Sequence, residues 1–197
     1  MIFEVLTIIA GEVNKHFDIL ELDESRVVLD NVALLESRQE GDDSLSNKIV
    51  LSMINLQEEV TLKNIPNQRY DGESFVTKNP VLNLNLFLIF CANRTKYKTS
   101  LSDLSKILAF FQGKKVFNQS NTVFDRDLEE MNSVQNFHFT MNLYTPTFEE
   151  LNFIWGTLGG RQYPSIFYRL NVIEIDRDLV QAKKGVISTI NRTYTQE

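Results

Sequence analysis

The sequence predicts an α+β fold: a single domain with a mixed β-sheet of about five strands and three helices mainly on one face. Three observations predict it. Three segments place apolar residues three or four positions apart, the spacing of amphipathic helices. Residues 136–143 alternate apolar and polar side chains, and "NPVLNLNLFLIFCA", residues 79–92, carries an unbroken apolar row at every second position, both patterns of strands. Along the chain these segments fall in the order helix, two strands, central strand, helix, strand, helix, strand, which lets the helices cover mainly one side of a sheet.

The first helix follows from Ile2, Val5, Leu6, Ile9, Val13, Phe17 and Leu20, which share one stripe. "RVVLDNVALL" reads as a strand, and "ESRQEGDDSLS" as an exposed loop broken by Gly41. "NKIVLSMINLQEE" is a second strand whose β-branched Ile49, Val50 and Ile54 suit a pleated, buried surface. Residues 64–78, with Pro66 and Gly72, read as a long surface connection.

In the central strand, Leu82, Leu84, Leu86 and Leu88 line one face, while the other begins with Asn83 and Asn85 and continues with Phe87, Ile89 and Cys91. One end is therefore buried on both faces and the other end on one. A second helix follows from Leu101, Leu104, Ile107, Leu108 and Phe111, with Ser100 as its expected N-cap and Gly113 just past its end. "FDRDLEE" reads as a charged loop. Then Phe137, Phe139, Met141 and Leu143 face one way, and Asn136, His138, Thr140 and Asn142 the other. A third helix is expected from "YTPTFEEL", capped by Thr145 with Pro146 in its first turn and striped by Phe148, Leu151, Ile154, Trp155 and Leu158. Gly159 and Gly160 end it, and "YPSIFYRLNVIEID" returns as a long strand.

With 43% apolar and 23% charged residues, the 197-residue chain has a globular composition and can fill one core. Its formal net charge of −6 argues against a phosphate-tracking surface, so nucleic acid is not an expected partner. The single cysteine cannot form an internal disulfide, which points to a reducing folding compartment. The apolar N-terminus lacks a basic leader and carries Glu4 and Glu12, and the run at 81–92 is too short to span a bilayer. The expectation is a soluble protein made in the cytoplasm, without membrane insertion.

Cys91 lies within an apolar strand, as a structural thiol does, and only His16 and His138 offer imidazole bases. "EGDDS" lacks the spaced oxygens of a calcium loop, "DRDLEE" reads as a solvated charge run, and "GGR" and "GKK" do not follow a strand and open a helix as a phosphate cradle does. No catalytic, cofactor-binding or metal-binding residue is assigned, and no cofactor is expected. If the apolar rows face the helices, the opposite surface gathers Asn83, Asn85, His138, Thr140 and Asn142, with Arg169 and Asn171 as neighbours. A small hydrolase or ligand-binding domain using this polar face around His138 is the alternative to a structural role.

"NKIVLSMINLQEEVTLKN", "NPVLNLNLFLIFCA", "LSKILAFFQGKKVF" and "FIWGTLGGRQYPSIFYRLNVIEID", in that order and spacing, resemble the cap, or tail-terminator, family of extracellular contractile injection systems, phage-tail-like particles of the antifeeding-prophage type. The resemblance runs from the opening helix to about Asp176. It implies a non-enzymatic homohexameric ring that closes the far end of the inner tube and contacts the last layer of sheath, in a particle that can be released outside the cell. Its implied partners are other copies of itself, the tube protein and the sheath protein. Residues 1–176 would form the cap domain and 177–197 a C-terminal arm or tail. Some relatives continue beyond this C-terminus, and contacts made by that extra segment do not carry over.

Within that reading, Asn83, Asn85, His138, Thr140, Asn142 and Arg169 are the candidate interface to neighbouring subunits or tube. Either their amides meet partners across that interface, or they bond to the chain's own loops. The segment "KKGVISTINRTYTQE" offers Val186, Ile187, Ile190 and Tyr194 as a candidate sheath-contact arm that adds a strand to a sheath subunit; a frayed tail is the other reading.

Overall fold

The computed structural model describes residues 1–22, 26–41, 44–62, 68–70, 74–78, 81–122, 137–175 and 180–185. In chain order the elements are α1 (Ile2–Ile19), β1 (Val27–Leu29), a 3-10 turn at Val32–Leu34, β2 (Lys48–Glu58), a second 3-10 turn at Val60–Leu62, β3 (Gln68–Tyr70), β4 (Ser74–Lys78), β5 (Leu82–Asn93), α2 (Tyr97–Gly113), β6 (Val116–Asn118), β7 (His138–Tyr144), α3 (Phe148–Thr157), β8 (Ser165–Ile175) and β9 (Val180–Gly185). The chain is α+β. One sheet has six strands in the order β1-β2-β5-β8-β7-β6, and another has three in the order β3-β4-β9.

The larger sheet is mixed, because β1 runs parallel to β2 while β2–β5, β6–β7 and β7–β8 are antiparallel. It has one strand more than the sequence predicts. The addition is β6, three residues directly after a helix, too short for alternation to register as a pattern. "RVVLDNVALL" divides into β1 and the 3-10 turn at Val32–Leu34, where Asn31 caps the turn by accepting from the Ala33 amide at 2.9 Å.

Two compact units are formed, one from Met1–Glu58 and Leu84–Ile173, the other from Glu59–Asn83 and Glu174–Glu197. In the second unit β4 pairs antiparallel with β3 on one side and β9 on the other, placing Phe75 opposite Tyr70 and Lys184. The connection expected over 64–78 therefore contains two strands, β3 bonded to β4 and β4 bonded also to β9, more than 100 residues away in sequence.

The first unit holds the larger core. Val5, Leu6, Ile9, Val13 and Phe17 are buried along the expected stripe of α1, and Leu104, Ile107 and Phe111 along that of α2. The two helices lie side by side, with His16 and Phe110 ring centroids 5.2 Å apart and Lys114 Nζ 2.5 Å from Glu12 Oε2. Beneath α2, Phe111 meets Phe90 at 5.6 Å and Tyr168 at 4.7 Å, and Phe117 stacks on Phe139 at 5.1 Å. Each such side chain stabilises the fold by about 1.5–3 kcal/mol when fully buried. The opposite face of the sheet is covered by α3, whose Trp155 packs with Val50, Ile89, Cys91 and Phe167, and with Val32, Leu35 and Leu45. Two of the three helices thus share a face and the third seals the other.

Local chemistry moves two helix starts away from the expected positions. Lys96 is the N-cap of α2; Ser100 sits inside the helix, buried, and its hydroxyl donates to the Ala92 carbonyl at 3.3 Å. Thr147, two residues after the expected Thr145, caps α3. Its hydroxyl accepts from the Glu150 amide at 3.2 Å while Glu150 Oε2 accepts from the Thr147 amide at 2.8 Å, a reciprocal capping box that leaves Pro146 outside the helix. Gly159 and Gly160 end this segment at φ of 112° and 83°, a left-handed conformation that glycine adopts without Cβ strain.

Candidate functional site

Strand register decides which polar residues meet. In antiparallel pairs, directly opposed residues share a face. Asn118 opposes His138, Val116 opposes Thr140, Thr140 opposes Asn171, and Asn142 opposes Arg169, so these side chains lie on one side of the sheet. Tyr144 opposes Phe167 farther along the same side, which joins this surface to the apolar cluster under α3. On the neighbouring strands Gln57 opposes Asn85, and Asn55 opposes Phe87. The Arg169 guanidinium lies over the Phe87 ring, 5.9 Å from its centroid, and Phe87 meets Tyr144 edge to face at 5.1 Å. His138, Thr140, Asn142, Arg169 and Asn171 therefore lie on one face of the sheet, as the alternation along β7 predicts, and Asn85 lies buried on the same side.

Their exposure differs. His138 and Asn142 are exposed, Thr140, Arg169 and Asn171 are half-buried, and Asn85 is only 1% exposed. Asn83, which falls in the second unit, is 5% exposed. Asn171 Oδ1 is buried without a hydrogen-bond partner among the described residues. An acceptor left in that condition costs about 1–3 kcal/mol, so a donor brought to it would be bound favourably. The surface offers amides, a hydroxyl, an imidazole and one guanidinium, groups suited to backbone and side-chain hydrogen bonds of another protein. Val186, Ile187, Ile190 and Tyr194 lie outside the described residues.

Elsewhere, Cys91 is fully buried, and burial pushes its thiol up to about 12, far from a nucleophilic thiolate at neutral pH. Among the described residues, no group of three or more His, Cys, Asp and Glu side chains is placed to hold a metal ion, and no helix is long and apolar enough to cross a membrane.

Residue pattern alone missed Asn118, because β6 is too short to announce itself, and Gln57, whose facing depends on an irregularity in β2 register between Met53 and Asn55. It also missed an apolar groove of about 930 Å³ between α2, the segment entering α3 and the start of β8. Leu101, Leu108 and Leu143 were expected inside; they are 45%, 36% and 58% exposed, and they line this groove.

The sequence profile of the Pvc16 N-terminal domain matches residues 4–189, nearly the whole chain. The chain belongs to that family. Among solved structures, this chain is similar in fold to the sheath/tube terminator of an extracellular contractile injection system, PVC, in its extended state: TM-score 0.51, 13% identity, 94% of this chain and 62% of that one. The tube-terminating cap of the anti-feeding prophage also matches, with TM-score 0.48 and 13% identity over 75% of this chain and 49% of that one. The chain thus spans less than two thirds of either structure. No protein of curated function matches it in sequence.

Proposed function

We propose that this chain is a structural terminator of a contractile injection particle, closing the distal end of the tube and meeting the last layer of sheath as a homohexameric ring. Membership of the Pvc16 N-terminal domain family over residues 4–189 carries the reading. The fold likeness to a sheath/tube terminator over 94% of the chain supports it. The work is geometric. A ring whose subunits present tube-like contacts on one side and no further stacking surface on the other ends a polymer by symmetry alone, without chemistry.

The polar surface of Asn85, His138, Thr140, Asn142 and Arg169, together with Asn83, is the proposed contact with a neighbouring subunit or tube. His138 and Asn142 are exposed and would touch the partner directly, and the buried amides would hold the register of the strands beneath them. The segment with Val186, Ile187, Ile190 and Tyr194 is the proposed arm to sheath, following a strand already paired within the chain.

The test is imaging of particles assembled with and without this chain. Density at the end opposite the baseplate should vanish, and tube length lose its control, when the chain is absent. Particles of ordinary length with an unchanged end would refute the proposal. The variant His138→Glu with Asn142→Lys, both on exposed positions, should fold and fail to cap.

A further inference from the structure

We infer that two asparagine side chains, Asn14 and Asn121, close the six-stranded sheet to strand addition at both of its edges, so that another copy of this chain meets it through side chains and does not continue its ladder. This narrows the subunit contact of the ring proposed above and rests on that reading for its setting.

Among the described residues the edges of this sheet are β1 and β6. An edge strand turns alternate backbone groups toward its one partner and the others outward, where they template pairing with another chain. In β6 the Lys115 carbonyl accepts from the Met141 amide at 2.8 Å, so by alternation Val116 and Asn118 turn their backbone groups out. Asn121 takes them. Its Nδ2 donates to the Val116 carbonyl at 2.9 Å, its Oδ1 accepts from the Asn118 amide at 2.9 Å, and its own amide donates to the Asn118 carbonyl at 3.2 Å. In β1 the Arg26 carbonyl accepts from the Ile49 amide at 2.9 Å, so Val27 turns out, and the Asn14 carboxamide bonds both its amide and its carbonyl. A carboxamide carries a donor and an acceptor side by side, the pair that an incoming strand would present.

One helix braces both clamps. Asn14 lies on α1, and Glu12 precedes it by two residues, which sets the two side chains about 200° apart around the helix. On its side, Glu12 Oε2 holds Lys114 Nζ at 2.5 Å, and Lys114 Nζ donates to the Asn121 carbonyl at 2.7 Å. The Thr122 hydroxyl adds a bond to Asn121 Oδ1 at 2.9 Å. Thus α1 reaches one edge directly and the other through an ion pair. Water alone would satisfy backbone groups on an exposed edge, so satisfaction of those groups does not require a braced side chain on either strand. Keeping other strands away does require one. In a ring this leaves the sheet face and the helices to make the contacts, and it stops the sheet from growing into an open ladder between copies.

The test is made on the purified full chain, with circular dichroism as the folding check and mass read by light scattering across a range of concentrations. Asn121→Ala and Asn14→Ala should each form species larger than any the parent forms, growing with concentration. At low concentration the Asn118 amide should exchange with deuterium several-fold faster in Asn121→Ala than in the parent. Val116→Pro removes an outward amide at the first residue of β6 that the ladder to β7 does not use. Added to Asn121→Ala, it should reduce the gained mass. Alone, it should match Val116→Ala, which keeps the amide, both in mass and in capping of assembled particles. Folded asparagine variants whose mass follows the parent, or a Val116→Pro chain that loses an assembly or capping which Val116→Ala keeps, would each overturn the inference; should an asparagine variant unfold, the Val116 pair decides. Imaging separates the two proposals. Normal particles in the chain's absence remove the terminator reading and leave the clamps, whose mass measurements need no particle, whereas tubes that need the chain while the asparagine variants keep the parent's mass do the reverse.

Discussion

Asn14 and Val27 exchange two hydrogen bonds: Asn14 Nδ2 donates to the Val27 carbonyl at 2.9 Å, and the Val27 amide donates to Asn14 Oδ1 at 2.7 Å. The carboxamide on α1 thereby occupies the outer edge of β1, the terminal strand of the six-stranded sheet, where another chain would otherwise find free backbone groups. Asn14→Ala removes both partners at once and is expected to cost about 1–3 kcal/mol. Asn14→Asp keeps the acceptor and should fall between the two. Urea midpoints at unchanged slope measure both, and a midpoint for the alanine variant equal to that of the parent would show that the edge does not need the amide.

Arg94 and Asp103 form the second test. Their Nε and Oδ2 atoms are 2.7 Å apart, with side chains 4% and 1% exposed, and Arg94 also donates to the Asn47 carbonyl. Removing one member leaves a buried charge, so Asp103→Ala should destabilise by about 3–5 kcal/mol. The double variant Arg94→Met with Asp103→Leu should recover much of that loss, because both desolvation costs disappear together. A double variant no more stable than Asp103→Ala in thermal unfolding would contradict this account.

Alkaline pH should unfold the protein through two buried groups. Burial raises the Cys91 thiol from 9.0 to about 12 and the Tyr168 phenol from 10.0 to about 12. In the unfolded chain each group ionises at its lower value, so the stability they contribute is complete below about pH 9 and declines as pH rises toward 12. Each group acts with a limiting slope of about 1.4 kcal/mol per pH unit. Cys91→Ala and Tyr168→Phe should each flatten the decline, read from denaturant midpoints across that window. Persistence of the full decline in the double variant would assign it elsewhere.

The capping box makes a contrast between two threonines. Thr147→Ala loses the hydroxyl that accepts from the Glu150 amide and should cost about 1 kcal/mol, while Thr145→Ala, outside the helix, should stay within about 0.5 kcal/mol. Equal effects in chemical denaturation would mean that the box is not the origin of α3 stability.

Elements whose pattern repeats several times were legible in the residues. The stripe of α1, the leucine row of β5 and the alternation of β7 each recur often enough that one face must be apolar, and the structure buries those faces except at their ends, where Leu20, Leu82 and Leu143 are exposed. The polar surface was legible for the same reason, since alternation puts His138, Thr140 and Asn142 opposite Phe139 and Met141 wherever the strand lies. Short elements were not. Three residues of β6 or β3 have no periodicity to read, and the choice between Thr145 and Thr147 as cap turns on whether Glu150 can reach back to the right amide.

By itself, the sequence determined an α+β chain, the expectation that Cys91 is structural, and a resemblance to the terminator family that the match to the Pvc16 N-terminal domain supports, whereas the expected one-sided burial of the Asn83 and Asn85 end of β5 does not hold, both amides being buried. Only the tertiary structure decided that α3 seals the face opposite α1 and α2, that 68–70, 74–78 and 180–185 make a small sheet of their own, and that Tyr97, Leu101 and Leu143 are left lining an open groove. The reason is physical. Periodicity states which side of an element avoids water, but strand order, register and the partner that covers that side are set by contacts between residues far apart in the chain.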